Sequence, residues 1–120
     1  MFDIVIKSGC IIDGTGKPQF KADIAIQQGK IVDIGNFGNV SSKKIINANR
    51  LTVSPGFIDM HSHADFSLPG HPNAENMIQQ GVTTVVVGNC GMSPAPVNLN
   101  TMDQLKKYVA PLQSGYKLSW

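Results

Sequence analysis

The chain has 120 residues, of which 42% are hydrophobic and 15% are charged, and this composition excludes a disordered tail. Its length allows one small domain with a modest core. The net charge of +2 comes from scattered residues with no basic cluster beyond Lys43-Lys44 and Lys106-Lys107, so we expect no nucleic-acid partner. The low charged fraction suggests that further protein covers much of this chain.

The first residues, MFDIVIKSG, resemble neither a signal peptide nor a membrane span, which needs about 20 apolar residues. We therefore expect a cytoplasmic protein with no membrane partner. In that compartment Cys10 and Cys90 are expected to be free thiols and not a disulfide.

Residues 1–54 are predicted to be all β, as strands of a small antiparallel β-sandwich or an edge sheet. Alternating apolar residues on both sides of Gln28-Gly29 predict a hairpin with one buried face. Gly and Asn turns separate the predicted strands, which are FDIVIKSG, CIIDGTG, KADIAIQQG, KIVDIGNF and KIINANRLTVSPG.

Residues 55–120 change in pattern and predict the opening of an alternating β/α array. The strand GFIDMHSH is followed by a helix in NAENMIQQG, with Asn73 as N-cap and Gly81 as its end. The β-branched run TTVVV predicts a strand buried on both faces, as in a parallel sheet covered by helices. A second helix is predicted across MDQLKKYVAPLQ with Thr101 as its cap. These strands cannot complete such a layer, so we expect either a fragment or partner chains, including copies paired through exposed strands.

His61 and His63 are the first candidate metal ligands. Side chains two apart on a strand point to the same face, and their Cα atoms lie about 6 to 7 Å apart. That spacing suits two imidazoles that bind one divalent cation at about 2.1 Å. The alternative is a pair of solvated loop histidines.

Cys90 is the third candidate, because GNCG directly follows the TTVVV run. Neighbouring parallel strands end about 5 Å apart, so its thiolate can reach the same metal. The alternative is a small buried cysteine that behaves as a hydrophobe. Its flanking glycines favour the ligand, since they let the backbone approach closely.

Four other residues with functional side chains have weaker assignments. Asp59 shares the face of His61 and either orients an imidazole or bonds to backbone. Asp65 either faces a substrate or caps a turn. His71 is assigned to a loop and Cys10 to the core.

The stretch VSPGFIDMHSHAD resembles the first barrel strand of the amidohydrolase superfamily, with its apolar strand, Pro-Gly, acid and His-x-His. The preceding DIVIKSGCIIDGTGKPQFKADIAIQQGKIVDIG looks like the N-terminal sandwich strands of the same superfamily. GVTTVVVGNCGMSPAP is similar to the N-acyl-D-amino-acid deacylase (D-aminoacylase) branch, in which the cysteine of Asn-Cys-Gly replaces a lysine metal ligand.

This resemblance implies α/β architecture, with sandwich strands followed by the first two β/α units of a TIM-type barrel. By position it makes His61, His63 and Cys90 ligands of one or two Zn²⁺ ions, and Asp65 a carboxylate common after the motif and a candidate catalytic residue. The remaining histidine ligands and the aspartate that activates water belong to later strands, which this sequence does not contain. We therefore expect the isolated chain to be inactive.

The activity that the resemblance implies is metal-assisted hydrolysis of an N-acyl-D-amino acid to a carboxylic acid and a D-amino acid. Zinc would polarise the acyl carbonyl and lower the pKa of water to about 7, while a carboxylate transfers the proton to the leaving amine. Two alternatives stay open. One is a non-catalytic, truncated fragment that binds metal or oligomerises through its strands; the other is a structural zinc site whose metal is needed for folding.

Overall fold

The computed structural model describes residues 1–112 and divides the chain into two compact units, with the boundary between Pro55 and Gly56. This boundary falls one residue after the predicted one. The assignment of the units to a sandwich and to a barrel stays a prediction.

The first unit contains one five-stranded sheet, in which the strands follow the order β3-β2-β1-β4 and β5 also pairs with β1. Strand β1 takes in the first predicted strand and the start of the second, and the last predicted strand divides into β4 and β5. The bounds are β1 Phe2–Ile11, β2 Phe20–Gln27, β3 Lys30–Gly35, β4 Ser42–Asn47 and β5 Thr52–Val53.

The predicted hairpin is confirmed by the antiparallel pairing of β2 and β3, in which Gln27 lies opposite Lys30. The two turn residues have positive φ angles, 52° at Gln28 and 72° at Gly29. A type I′ turn requires positive φ at both positions, and its twist matches that of the strands it joins. The backbone N–H of Gln28 also donates to Oδ2 of Asp3 at 2.6 Å.

The expectation of an antiparallel sheet was wrong, because β1 pairs antiparallel with β2 but parallel with β4 and β5. The path of the connection 36–41 between β3 and β4 accounts for the parallel direction of β4. It returns the chain to the end of the sheet where β1 begins, so that Phe2 pairs with Ser42. Side chains of the sheet hold this connection: Nζ of Lys7 donates to the carbonyl of Gly38 at 2.9 Å, and the N–H of Phe37 donates to Asp23 at 3.2 Å.

The core of the first unit is small and formed by side chains of β1, β2 and the segment after β4. Its buried apolar residues are Val5, Ile11, Ile24, Ala25 and Ala48. Cross-strand isoleucine pairs such as Ile24 with Ile34 and Ile26 with Ile31 line an apolar cavity of about 330 Å³. Ile31 and Ile34 stay exposed, so the isoleucine side of the sheet is only half covered by the described residues.

The second unit contains two parallel strands, short 3₁₀ turns and two α-helices within the described residues. The bounds are β6 Phe57–Ser62, a 3₁₀ turn Ala64–Phe66, α1 Glu75–Ile78, β7 Val82–Val87, a 3₁₀ turn Leu99–Thr101, α2 Met102–Val109 and a 3₁₀ turn Ala110–Leu112. The parallel pairing of β6 with β7 is confirmed, with Asp59 opposite Val85 and Ser62 opposite Val87.

The helices differ from the predicted ones at their starts. Helix α1 is a single turn that begins after Ala74, which has a φ of 48°, and Asn73 does not cap it. Thr101 holds the N-cap position of α2, but its hydroxyl donates to the carbonyl of Asn98 and makes no capping bond. Gln113, the last residue of the predicted second helix, lies outside the described residues.

The TTVVV strand is less covered than its composition predicts. Thr83, Thr84 and Val87 of β7 are exposed, as are Phe57, Ile58 and Met60 of β6. The described residues therefore do not supply the helical layer that such strands need. None of the helices in residues 1–112 is long and apolar enough to cross a membrane.

Candidate metal centre

His61 and His63 lie at the C-terminal end of β6, with Ser62 as the last strand residue between them. Strand alternation turns Ser62 away, where it is buried and its Oγ accepts from the N–H of Ala64 at 3.2 Å. Both imidazoles lie on the other side and are exposed, with ring centroids 5.6 Å apart and an interplanar angle of 53°. The structure brings them together as the spacing predicts.

Cys90 follows β7 after a sharp turn. Gly88 and Gly91 have φ angles of 70° and 77°, a backbone conformation that residues other than glycine rarely adopt. The N–H of Gly91 donates to the carbonyl of Gly88 at 3.0 Å and closes the turn around the cysteine. The Sγ atom lies 3.8 Å from Nε2 of His63, and the thiol is exposed.

The ligand atoms of His61, His63 and Cys90 all lie within 4.8 Å of one another. Nitrogen and sulfur atoms bound to one tetrahedral zinc ion at about 2.0 to 2.3 Å lie roughly 3.3 to 3.8 Å apart. The sulfur to Nε2 distance already falls in that range, and exposed side chains can close the remainder by small rotations. Imidazole nitrogen and thiolate are preferred zinc donors, so these residues fit the ion.

Asn89 was missed by the sequence reasoning. Its side-chain amide donates to the backbone carbonyl of Met60 at 2.5 Å, across 29 positions of the chain. These two residues directly precede Cys90 and His61. The sequence does show a hydrogen-bond donor side chain next to the cysteine in GNCG. It does not show that the partner of this side chain is a backbone carbonyl.

The two aspartates near the histidines have different environments. Oδ1 of Asp59 accepts from the backbone N–H of His61 at 3.1 Å, as the backbone alternative for this residue proposed. Asp65 lies in the 3₁₀ turn after His63, and both carboxylate oxygens are buried without a hydrogen-bond partner among the described residues. A contact of Asp65 with substrate stays a prediction.

The other two candidate residues are not members of the cluster. His71 occupies the loop that leads to α1, as expected, and does not belong to the group of ligand atoms found in the described residues. Cys10 is a half-buried free thiol of β1, opposite Lys21 on one side and Thr52 on the other.

Comparison with known proteins identifies relatives of this chain. Residues 1–56 match the family described as the urease alpha-subunit, N-terminal domain. N-acyl-D-aspartate deacylase from Alcaligenes xylosoxydans xylosoxydans is 39% identical over 109 residues, which are 91% of this chain and 22% of that enzyme. The chain resembles the N-terminal region of the N-acyl-D-amino-acid deacylases, which are amidohydrolases.

Solved structures of these deacylases extend the similarity to the fold. N-acyl-D-glutamate deacylase from Bordetella bronchiseptica, complexed with zinc and a phosphonate mimic of the tetrahedral intermediate, has a TM-score of 0.78 and 40% identity. The match covers 87% of this chain and 23% of that one. A D-aminoacylase with a binuclear metal centre has a TM-score of 0.77 and 40% identity, with 88% and 23% covered. The chain thus spans less than a quarter of the deacylases' length.

Proposed function

We propose that this chain is the N-terminal part of a metal-dependent amidohydrolase that cleaves N-acyl-D-amino acids into a carboxylate and a D-amino acid. The observation that carries the proposal is the convergence of His61, His63 and Cys90 within 4.8 Å at the ends of two parallel strands. The similarity to deacylases over most of the chain supports the substrate class. In this proposal residues 1–54 are sandwich strands, and residues 55–120 begin a TIM-type barrel.

The three residues would hold Zn²⁺, with the imidazoles as neutral donors and the cysteine as a thiolate. When bound, zinc polarises the carbonyl of the amide and makes water a stronger acid. No residue of the cluster can serve as the base, because all three are assigned as ligands. Asp65 is the nearby candidate carboxylate, and its two buried oxygens make no hydrogen bond among the described residues, so a substrate or a donor in the longer polypeptide would have acceptors to bind there.

Metal analysis of the purified chain tests the ligand set. We expect bound zinc in the wild type and a large loss in both Cys90→Ala and His63→Ala. Cys10→Ala is the matched control, because it removes a thiol of the other unit and should leave the zinc content unchanged. Equal zinc content in all four proteins would refute the assignment.

Activity assays test whether the 120-residue chain is sufficient for hydrolysis or needs the polypeptide that continues it. We expect no turnover of N-acyl-D-amino acids by the purified 120-residue chain, because the resemblance assigns the aspartate that activates water to later strands of the enzyme, which this sequence does not contain. A longer polypeptide that continues this sequence should hydrolyse them and lose activity with Cys90→Ala. Steady turnover by the short chain alone would contradict the proposal.

A further inference from the structure

The hydrogen bond from Asn89 to Met60 joins the two strand ends that carry the cluster. Asn89 lies one residue before Cys90 in the turn after β7, and Met60 lies one residue before His61 in β6. The bond is 2.5 Å long and crosses directly between the two segments. Any movement of the turn relative to β6 would have to break or bend it.

The backbone alone does not hold this region firmly. The register of the β6/β7 ladder shifts between Asp59 and Ser62, and no pair is formed by Met60 or His61. The turn that carries Cys90 contains two glycines with positive φ, which restrict the backbone little. Both Asn89 and Cys90 are exposed, so packing contributes little to their position.

We propose that Asn89 is a positioning residue, which holds the sulfur of Cys90 within reach of the histidines by anchoring the turn to the carbonyl of Met60. The inference rests on the proposed ligand set and extends it, since it assigns metal affinity to a residue that does not touch the metal. Loss of the bond would let the turn sample positions in which the thiolate is beyond bonding distance. Groups that hydrogen-bond directly to a metal ligand contribute about 10-fold to 100-fold to metal affinity, and we expect an anchor of the turn to act at the lower end of that range.

Cobalt titration of the full 120-residue chain tests this inference, because a thiolate bound to Co²⁺ gives a charge-transfer absorption that imidazole does not. The variants are Asn89→Leu, which keeps the side-chain size and removes the donor, and Asn89→Ser. The matched control is Gln80→Ala, which removes another amide-to-carbonyl bond of the same unit, from Gln80 to Asn76 at 2.6 Å. Circular dichroism checks that each protein is folded.

We expect Asn89→Leu and Asn89→Ser to bind Co²⁺ at least about 10-fold more weakly, with a weaker thiolate band at saturation. Gln80→Ala should match the wild type in both. Wild-type affinity and band in the Asn89 variants would overturn the positioning role and leave the ligand set intact. A wild type that binds Co²⁺ without a thiolate band would overturn the ligand set and the positioning role together.

A measurement on the wild type keeps the inference testable if the variants do not fold. The side-chain amide protons of Asn89 should exchange with solvent more slowly than those of exposed Asn100, whose side chain makes no such long-range bond among the described contacts. Equal exchange rates for the two side chains would show that the bond to Met60 does not persist in solution, and the positioning role would fall.

Discussion

Sγ of Cys90 lies 3.8 Å from Nε2 of His63, although 27 positions separate these residues in the chain. Parallel pairing of β6 with β7 accounts for this proximity, because the C-terminal ends of parallel strands meet at the same edge of a sheet. His71, the third histidine of the sequence, follows in a loop and does not join the cluster.

The three histidines therefore predict a sharp contrast in metal binding. His61→Ala should lower zinc affinity by more than about 100-fold, because loss of a ligand exceeds the effect of losing a group that only orients one. His71→Ala should change it by less than a factor of about two. Competition with a chromophoric chelator measures both. Similar losses in the two variants would mean that His71 also binds the ion.

Asp23 of β2 predicts a pH dependence in the first unit. Burial by itself raises the pKa of the Asp23 carboxyl, but hydrogen bonds from Lys7 and from the backbone N–H groups of Ser8 and Phe37 outweigh it, and the pKa is lowered overall. A carboxyl with a lowered folded-state pKa stabilises the fold above its unfolded pKa of about 3.9. That stabilisation is lost as the pH falls through the folded-state value.

We expect Asp23→Asn to cost about 2 kcal/mol at pH 7, because the amide has one acceptor oxygen and its NH2 group must face a donor in either orientation, the Lys7 ammonium and Phe37 N–H or the Ser8 N–H. The difference from the wild type should narrow as the pH falls below about 4, because the carboxyl of the unfolded chain becomes protonated there while the folded-state carboxyl, with its lowered pKa, is still ionised. Hydrogen exchange of β1 and β2 amides at several pH values measures this for the first unit alone. A difference that stays constant down to pH 3 would show that the charge of Asp23 is not what stabilises the sheet.

Gly56 predicts a steric limit at the start of β6. A Cβ added there would lie 2.7 Å from Cβ of Thr83 and closer still to its Oγ1 and Cγ2. Gly56→Ala should therefore push the start of β6 away from β7 and lower the free energy of unfolding by about 3 kcal/mol, measured with urea. Thr83→Gly in the same chain should recover part of the loss. Gly35→Ala is the control, because its added Cβ would meet Phe37 at an ordinary 3.6 Å.

The sequence allowed prediction of features that depend on local pattern. Alternation around Gln28-Gly29 predicted the hairpin, and the placement of His61, His63 and Cys90 after two consecutive strands predicted their convergence. These inferences needed only the period of a strand and the direction of two neighbours.

Features that depend on distant contacts were not predictable in this way. The direction of β4 follows from the path of residues 36–41, which is held by bonds to Lys7 and Asp23 far away in the chain. The partner of Asn89 is a backbone carbonyl, and every residue has one. Helix α1 begins only at Glu75 because Ala74 is left-handed, which no residue pattern in NAENMIQQG signals.

The buried carboxylate of Asp65 predicts an unusual gain in stability on neutralisation. Both oxygens lack a donor in the described part of the chain, and an unpaired carboxylate costs more to bury than an amide. Asp65→Asn should therefore raise the free energy of unfolding of the 120-residue chain by about 1 kcal/mol, measured with urea at pH 7. Asp103→Asn should instead lower the free energy of unfolding by about 0.5 kcal/mol. Asp103 is exposed in the first turn of α2, where its negative charge interacts favourably with the helix dipole. A loss of stability in Asp65→Asn would reveal a donor outside residues 1–112.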